Sequence, residues 1–330
     1  MNATTPSAPP AEVDAPEAGW RRALKQSWLG ALVAALLLWL LAGYLTGTLS
    51  LGFILANATI AGFLALAGAA QMVVISSGPG NFDLSLPYTI TFGAYVMSAG
   101  LLGQDNIALS ILLTLGAGAL IGALNAGLIV LLRIPAIVAT LASGYIIYSL
   151  IVAVQSSGFS RVGGMFESML RYRIAGVSGA LITVAVTLAV LAVILRRTVF
   201  GMQLHAFGQN GEAARLAGVR RGRIILLTFV ISGVLSAWLG AMLATYQGGV
   251  STDLGRSYLL GSVAAVVVGG TRISGGITSV IGTALGALVL TLTQSDLVLM
   301  KVSIGTQYAV QGLIVLGTVS FIAYRTRDSR

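Results

Sequence analysis

The residues of this sequence that could bind a solute or take part in chemistry are polar side chains within or beside long apolar runs. One of them is a carboxylate. Amides and hydroxyls in such positions hydrogen-bond a neutral polar solute. They equally bind apolar helices to one another, at about 0.6–2 kcal/mol each. Both roles stay open for every one of these residues. The candidates for contact with a solute are Asn57, Gln71, Asp83, Ser85, Asn125, Thr140 and Ser143.

Asp83 stands out because it follows a helix-breaking cluster, Ser76–Gly80. In one interpretation Asp83 orients a broken helix beside a solute pathway. In the other, Asp83 and Ser85 are ordinary N-cap residues of the helix that follows, a position that both residue types favour. The sequence leaves both interpretations open, and the second is the simpler.

Several kinds of catalytic site are excluded by the residues that are missing. The chain has no Cys and one His, His205, which we expect to be a solvated loop residue. Thiol nucleophiles and metal sites built from Cys or clustered His are therefore ruled out. A phosphate-binding P-loop needs Gly-Lys-Ser/Thr, and neither Lys25 nor Lys301 follows Gly. We expect no catalytic residue, no metal and no cofactor, so any ATP hydrolysis must occur in a partner.

The elements that position these side chains are membrane helices. Hydrophobic residues make up 56% of the 330 and charged residues 9%, whereas soluble domains carry about 25% charged residues. Most of the surface must face lipid, because this small number of charged residues cannot cover a water-facing surface. We predict an all-α, polytopic membrane helix bundle. The net charge of +9 does not indicate nucleic-acid binding, because the basic residues are sorted by loop and form no basic domain.

A helix needs about 20 apolar residues to cross a bilayer core, and runs of this kind predict about ten transmembrane helices. The third and eighth are short. The ten runs are approximately 28–47, 52–77, 87–102, 107–132, 136–155, 177–197, 224–247, 258–270, 276–295 and 303–323.

The Lys and Arg residues indicate the orientation. With a cytoplasmic N-terminus and alternating sides, 14 of the 19 lie on the cytoplasmic side and 5 on the outer side, as the positive-inside rule predicts. Both termini are therefore predicted to be cytoplasmic. The predicted organisation is a disordered tail over 1–26, a transmembrane domain over 27–324 and a short cytoplasmic tail over 325–330.

The longest cytoplasmic connection, 196–223, contains a short helix predicted from Asn210 to Ala217. Asn210 caps its N-terminus, Glu212 suits the helix dipole and lies three residues before Arg215, and Gly218 closes the C-terminus. Such a compact helix suits docking on a soluble partner. A plain surface turn of helix between two spans is an equally good explanation.

Four segments carry a resemblance to a known family. One of them, Leu235–Gly249, looks like the small-residue helix that follows the family's cytoplasmic segment. GQNGEAARLAGVRRGRI, from Gly208 to Ile224, resembles the cytoplasmic coupling segment of ribose/xylose-type ABC transporter permeases. Leu259–Leu290 is similar to the family's late Gly-Gly signature, and Leu124–Ser143 is similar to its Asn-Gly…Ile-Pro-x-x-Val-x-Thr-Leu segment. The resemblance covers roughly 30–323. The ATPase-coupling residues that it implies are Gly208, Asn210, Glu212, Ala213, Ala214, Arg215, Leu216 and Gly218.

The chain departs from the family pattern at two places. The segment SSGPGNFDLSLPYTITFGAY keeps Asp83-Leu84-Ser85 but adds Pro79, Asn81 and Pro87, and Thr278 replaces a usual Gly of the late signature. Both places lie near the expected pore, so the solute stays open.

The resemblance implies the permease subunit of an ATP-driven importer of a monosaccharide or a related small polar solute, in a bacterial inner membrane. It implies ABC ATPase subunits on the cytoplasmic face and a periplasmic or extracellular solute-binding protein. It also implies a second permease, identical or homologous, and surrounding lipid. Three alternatives stay open: an ion-coupled secondary transporter, a membrane-embedded enzyme and an exporter.

Two small-residue repeats predict close helix packing. They are Gly118-x-x-x-Gly122 in the fourth run and Gly282-x-x-x-Gly286 in the ninth. Runs two to five and seven to ten have opposite orientations in the predicted topology. This suggests the hypothesis of two inverted halves, a common transporter plan.

Overall fold

The structure is a computed structural model that describes residues 28–98, 106–155 and 164–327. These residues form thirteen helices and one two-stranded hairpin. The elements are α1 Leu29–Thr46, α2 Leu51–Ser76, α3 Leu86–Ser98, α4 Ile107–Val130, α5 Ala136–Val154, α6 Met165–Arg171, β1 Arg173–Ile174, β2 Val177–Ser178, α7 Gly179–Arg197, α8 Val199–Gln209, α9 Gly211–Leu216, α10 Arg221–Gln247, α11 Tyr258–Val268, α12 Val280–Leu299 and α13 Ile304–Arg327.

Each of the ten predicted runs coincides with a helix of the structure. Among the described residues, seven helices are long and apolar enough to cross a membrane, while α3 and α11 have only 13 and 11 residues. The chain is therefore a polytopic helical membrane protein. The number of crossings and the sides of the termini stay predictions, and the predicted tail over 1–26 lies outside the described residues.

Helix α10 forms the centre of the bundle because small residues let its neighbours approach its backbone. A Cβ atom at Gly118 would overlap the carbonyl oxygen of Gly233, and one at Gly122 would overlap that of Phe229. On another side of α10, Gly240 lies against the carbonyl oxygen of Ile90 in α3. These contacts hold α3 and α4 against α10 at backbone distance.

Helix α2 packs against α10, α11 and α12, and its second half is buried on all sides. The α12 glycines of the second repeat face the C-terminal end of α11. A Cβ atom at Gly282 would overlap the carbonyl oxygen of Gly269, and one at Gly286 would overlap that of Ala265. The outer helices α1, α4, α5 and α7 instead expose large apolar side chains, as a lipid-facing surface requires.

One sequence of elements occurs twice: a long helix, an irregular segment and a short helix. The first is α2, 77–85 and α3, and the second is α10, 248–257 and α11. At 1.5 Å per residue the short helices span about 20 and 17 Å, less than the roughly 30 Å of a bilayer core. This repetition supports the hypothesis of inverted halves. Irregular backbone at this depth is tolerated only inside protein or beside water.

Candidate functional site

The carboxylate of Asp83 lies at the centre of a buried polar network. Its Oδ1 accepts hydrogen bonds from the backbone N of Ser85, at 3.0 Å, and from the Ser85 hydroxyl. Its Oδ2 accepts one from the hydroxyl of Ser232 in α10, at 2.9 Å. Asp83 thus forms the turn before α3 and ties that turn to α10.

Three more of the predicted solute-contact residues extend this network to α4 and α5. The Asn125 amide donates to the Ser85 hydroxyl at 2.8 Å and accepts from the Ser143 hydroxyl. The Thr140 hydroxyl accepts from the backbone N of Leu84 at 3.0 Å. These bonds hold 77–85 between two further helices.

Gln71 completes the network from α2. In the amide orientation that satisfies both groups, its oxygen accepts from Asp83 N and its nitrogen donates to Asp83 O, both at 3.3 Å. Six of the seven predicted residues therefore come together, and only Ser143 is not fully buried. Their polar atoms bind one another, as expected for groups that fix an irregular segment inside a bundle.

Asn57 lies apart from the network, in the first half of α2. Its side-chain nitrogen donates to Phe53 O at 2.9 Å, and its oxygen accepts from the hydroxyl of Ser295 in α12. The geometry gives Asn57 a role in joining α2 to α12.

A second polar site lies at the N-terminal ends of the two short helices. We call it the tyrosine cavity. It has a volume of about 280 Å³ and is lined by Pro87, Tyr88, Thr91, Tyr145, Tyr148, Thr252, Asp253, Arg256 and Leu259. The ring centroid of Tyr88 lies 5.8 Å from those of both Tyr145 and Tyr148. The backbone N of Gly255 donates to Thr91 Oγ1 at 3.0 Å, which fixes the second irregular segment against α3.

The predicted coupling helix is α9. Asn210 Oδ1 accepts from the backbone N of Ala213 at 3.0 Å, as the predicted N-cap requires. Arg215 Nη2 lies 2.6 Å from Glu212 Oε1, and this bond lowers the pKa of the exposed Glu212 carboxyl. Gly218 adopts a left-handed conformation with φ of 86°. Of the eight predicted coupling residues, Gly208 and Ala214 are buried and the others are exposed.

Gly208 lies at the end of α8, where three backbones meet without side chains between them. A Cβ atom there would overlap the carbonyl oxygen of Ser76 and the backbone N of Gly276. The Gly276 N donates to Ser76 O at 3.0 Å, and the Gln209 side chain donates to Gly276 O at 3.3 Å. We call this contact among Gly208, Ser76 and Gly276 the glycine junction. It joins the coupling segment to the end of α2 and to the loop between α11 and α12.

His205 is not the solvated loop residue that the sequence predicted. It lies half-buried on α8, and its Nε2 is 2.8 Å from Thr278 Oγ1. Burial lowers the pKa of the His205 imidazole because the charged form loses hydration. The one signal in the sequence was Thr278 itself, which replaces a usual Gly of the family pattern that the sequence resembles.

Sequence reasoning missed Ser232 and nearly all of the tyrosine cavity. Among the residues that the structure describes, no group of three His, Asp or Glu side chains could hold a metal ion. The polar sites of the described chain thus offer hydrogen bonds and aromatic surfaces.

Comparison with known proteins places this architecture in a family. A sequence model of the family described as "Branched-chain amino acid transport system / permease component" matches residues 50–319. The chain is 33% identical over 271 residues to the autoinducer 2 import system permease protein LsrC of Enterobacter sp. (strain 638), covering 82% of this chain and 78% of the relative. No solved structure matches the chain.

Two further relatives are also permeases. The L-arabinose ABC transporter permease protein AraH of Azospirillum brasilense is 31% identical over 287 residues, which cover 84% of this chain and 80% of that protein. The autoinducer 2 import system permease protein LsrD of Escherichia coli (strain K12) is 30% identical over 257 residues, with 75% and 76% covered. The chain therefore belongs to this family of ABC permeases, and it is the membrane-spanning transport subunit of an importer and not an enzyme.

Proposed function

We propose that this permease imports a small, neutral, polyhydroxylated solute such as a monosaccharide. The relatives named above carry L-arabinose or autoinducer 2 in their names. The tyrosine cavity offers phenol and threonine hydroxyls with one acid and one base, so its lining has no net charge. A neutral solute suits such a site better than an anion or a cation does.

A branched-chain amino acid is the second candidate, because the description of the matching family names that class. A zwitterion would pair its ammonium and carboxylate groups with Asp253 and Arg256. These two side chains already lie within 3.8 Å of each other, so the pair offsets its own charges. Competition between labelled L-arabinose and unlabelled L-leucine in uptake assays separates the two candidates.

Helix α9 is proposed as the docking element for the ATPase. The observation that carries this proposal is that an exposed, capped helix is joined directly to the glycine junction. Leu216 of α9 is 77% exposed, and the Glu212–Arg215 pair lies beside it. An apolar side chain next to a charged pair is a suitable contact for a soluble partner. Residues 208–218 would then pass a movement of the ATPase to α2 and to the loop before α12.

The proposed assembly has two permeases, identical or homologous, with two ATPase subunits and an external solute-binding protein. It lies in a bacterial inner membrane. Ten crossing helices, cytoplasmic termini and tails over 1–26 and 325–330 are part of the proposal. The ATPases must bind one state of the pore better than the other, because only such a difference shifts the equilibrium between states.

The test is ATPase binding and sugar uptake by Glu212→Lys and Gly218→Val. Both variants are expected to insert normally into the membrane, to lose co-purification with the ATPase and to lose uptake. Arg173→Glu, a charge reversal on the β1–β2 hairpin, serves as the control and should still co-purify with the ATPase. Normal ATPase binding by both α9 variants would contradict the docking role. Uptake that survives ATP depletion but stops when the proton gradient collapses would contradict ATP-driven import.

A further inference from the structure

The tyrosine cavity lies beside the second half of α10. Gly240, which contacts Ile90 next to the cavity residue Thr91, is the twentieth of the 27 residues of α10, about 10 Å from its end. The bond from Gly255 N to Thr91 places the second irregular segment beside the second turn of α3. The loop before α11 therefore reaches into the bundle and does not remain at its surface.

Charged side chains are exposed at this depth. The side chains of Asp253 and Arg256 are 63% and 84% exposed, and Tyr145 beside them is 57% exposed. Charged side chains within a membrane-spanning bundle almost always face its interior or water, because a charge facing hydrocarbon is costly. This face of the bundle therefore adjoins water and not hydrocarbon.

Helix α5 separates this polar face from an apolar one. Ile146, the residue after Tyr145, is 64% exposed and lines a separate cavity whose walls are almost entirely apolar. Successive residues of a helix point about 100° apart. Tyr145 and Ile146 thus mark a boundary between the water-facing side and the lipid-facing side of one helix.

The lining of the tyrosine cavity matches the surface of a sugar ring. Such a ring presents C–H groups on its faces and hydroxyls around its edge. The faces pack on aromatic rings such as those of Tyr88 and Tyr148, while the edge bonds to phenol, carboxylate and guanidinium groups. A volume of about 280 Å³ suits a small solute, since sites for drug-sized ligands measure about 300–1,000 Å³.

The two short helices contribute a second feature. Pro87, in the first turn of α3, and Leu259, in the first turn of α11, both line the cavity. The cavity thus lies between the first turns of the two short helices. Pro87 has no backbone N–H, and the N–H of Leu259 already donates to Arg256 O at 3.4 Å, so the groups that face a solute here are side chains.

We infer that the tyrosine cavity is a solute-contact site on the translocation pathway and that it takes a neutral polyhydroxylated molecule. The class of solute rests on the proposed function. The contact of the cavity with water rests instead on the exposure of the charged and aromatic side chains described above.

The chain has no Cys, so single cysteines report on individual positions without further engineering. Tyr145→Cys and its neighbour Ile146→Cys form a matched pair on α5, and Arg256→Cys is a second reporter should Tyr145→Cys fold poorly. The complete transporter in membrane vesicles is treated with a charged, membrane-impermeant maleimide. Thiolates react and thiols in apolar surroundings do not, so Tyr145→Cys and Arg256→Cys should react at least about tenfold faster than Ile146→Cys.

Solute protection then tests the chemical class. An excess of L-arabinose or D-ribose should slow the labelling of Tyr145→Cys, and L-leucine should not. Equal, slow labelling of all three cysteines would overturn the inference, because lipid or a second permease would then cover this face. Fast labelling that neither sugar slows would overturn the assignment as a sugar site, as would protection by L-leucine.

Uptake measurements separate the failure of this inference from that of the proposed function. Tyr145→Phe removes one hydroxyl and should raise the KM for L-arabinose about two- to tenfold with little change in kcat, as the loss of one hydrogen bond predicts. Tyr44→Phe, on the exposed end of α1, should leave KM unchanged. If the unaltered transporter imports L-arabinose and Tyr145→Phe has the same KM, the cavity is not the solute-contact site. If the unaltered transporter imports no sugar, the proposed function fails.

Discussion

Asp83 accepts a hydrogen bond from Ser232, a residue 149 positions further along the chain, at 2.9 Å. The bond joins the first irregular segment to the middle of the central helix. Since both side chains are buried, neither has water as an alternative partner. The geometry combines the two interpretations of Asp83, because the residue forms the turn before α3 and also orients that turn within the bundle.

Replacing Asp83 should destabilise the protein to a degree set by the hydrogen bonds that survive. Asp83→Ala leaves the Ser85 N–H and two hydroxyls without their acceptor, and should cost about 3 kcal/mol or more. Asp83→Asn keeps one acceptor oxygen, and its amide can donate to Ser232, so its cost should be about 1 kcal/mol. Thermal unfolding of the detergent-purified protein measures both. Ser149→Ala, which removes an exposed hydroxyl, is the control, and equal melting of all three variants would refute the prediction.

Gly118 and Gly116 offer a matched test of helix packing on α4. A side chain at Gly118 meets the backbone of α10, whereas a Cβ atom at Gly116 has no neighbour within 4 Å. Gly118→Val should cost about 1–3 kcal/mol or more through overpacking, while Gly116→Val should be close to neutral. Thermal stability and the yield of monodisperse protein report the difference. If Gly116→Val proved as harmful as Gly118→Val, close packing of α4 against α10 would not be the cause of the loss.

The glycine junction should be sensitive to a single methyl group. Gly208→Ala must displace the carbonyl of Ser76 or the backbone of Gly276, whereas Gly211→Ala makes only an ordinary contact, 3.4 Å from the Phe207 ring. We expect Gly208→Ala to reduce ATP-driven uptake about tenfold or more at normal membrane abundance, since overpacking costs about 1–3 kcal/mol. Gly211→Ala should retain most uptake. Normal transport by Gly208→Ala would show that the junction has room to move.

His205 should make stability depend on pH. Burial lowers the pKa of its imidazole, so the folded state favours the neutral form. The contribution of His205 to the free energy of unfolding is complete above the ordinary pKa of about 6.5. It is lost as the pH falls below that value, because the unfolded state then binds more protons than the folded state. The melting temperature should therefore fall on acidification in the unaltered protein. His205→Gln can still bond to Thr278 and does not titrate, so it should lose this part of the pH dependence. Identical profiles of melting temperature against pH for the two proteins would show that other groups set the pH dependence.

The helices could be predicted from the sequence because apolar runs of about 20 residues have few other structures available in a bilayer. Helix α8 was missed because VFGMQLHAFGQ mixes polar and apolar residues and contains Gly201 and Gly208. The β1–β2 hairpin was missed as well. Its turn residues, Ala175 and Gly176, both have positive φ, and Ala is not a residue that signals such a turn.

The polar sites could be predicted only in part. Gln71, Asn125 and Thr140 each attracted attention as polar residues in apolar runs, but their meeting around Asp83 depends on how four helices pack. Ser232 gave no signal, because a lone Ser in a membrane helix is common. Arg256 lies between two apolar runs, and sequence periodicity does not show that the neighbouring Gly255 bonds to Thr91 of α3.

The absence of side chains at the glycine junction has a mechanical consequence. Side chains between two elements absorb small displacements by changing rotamer, whereas main-chain atoms in direct contact have no such slack. A shift of even half an ångström at the end of α8 must therefore appear at once in the end of α2, in the loop before α12, or in both. The stiffness of the connection between ATPase and pore would then come from direct backbone contacts, with the Gln209 side chain adding one further bond.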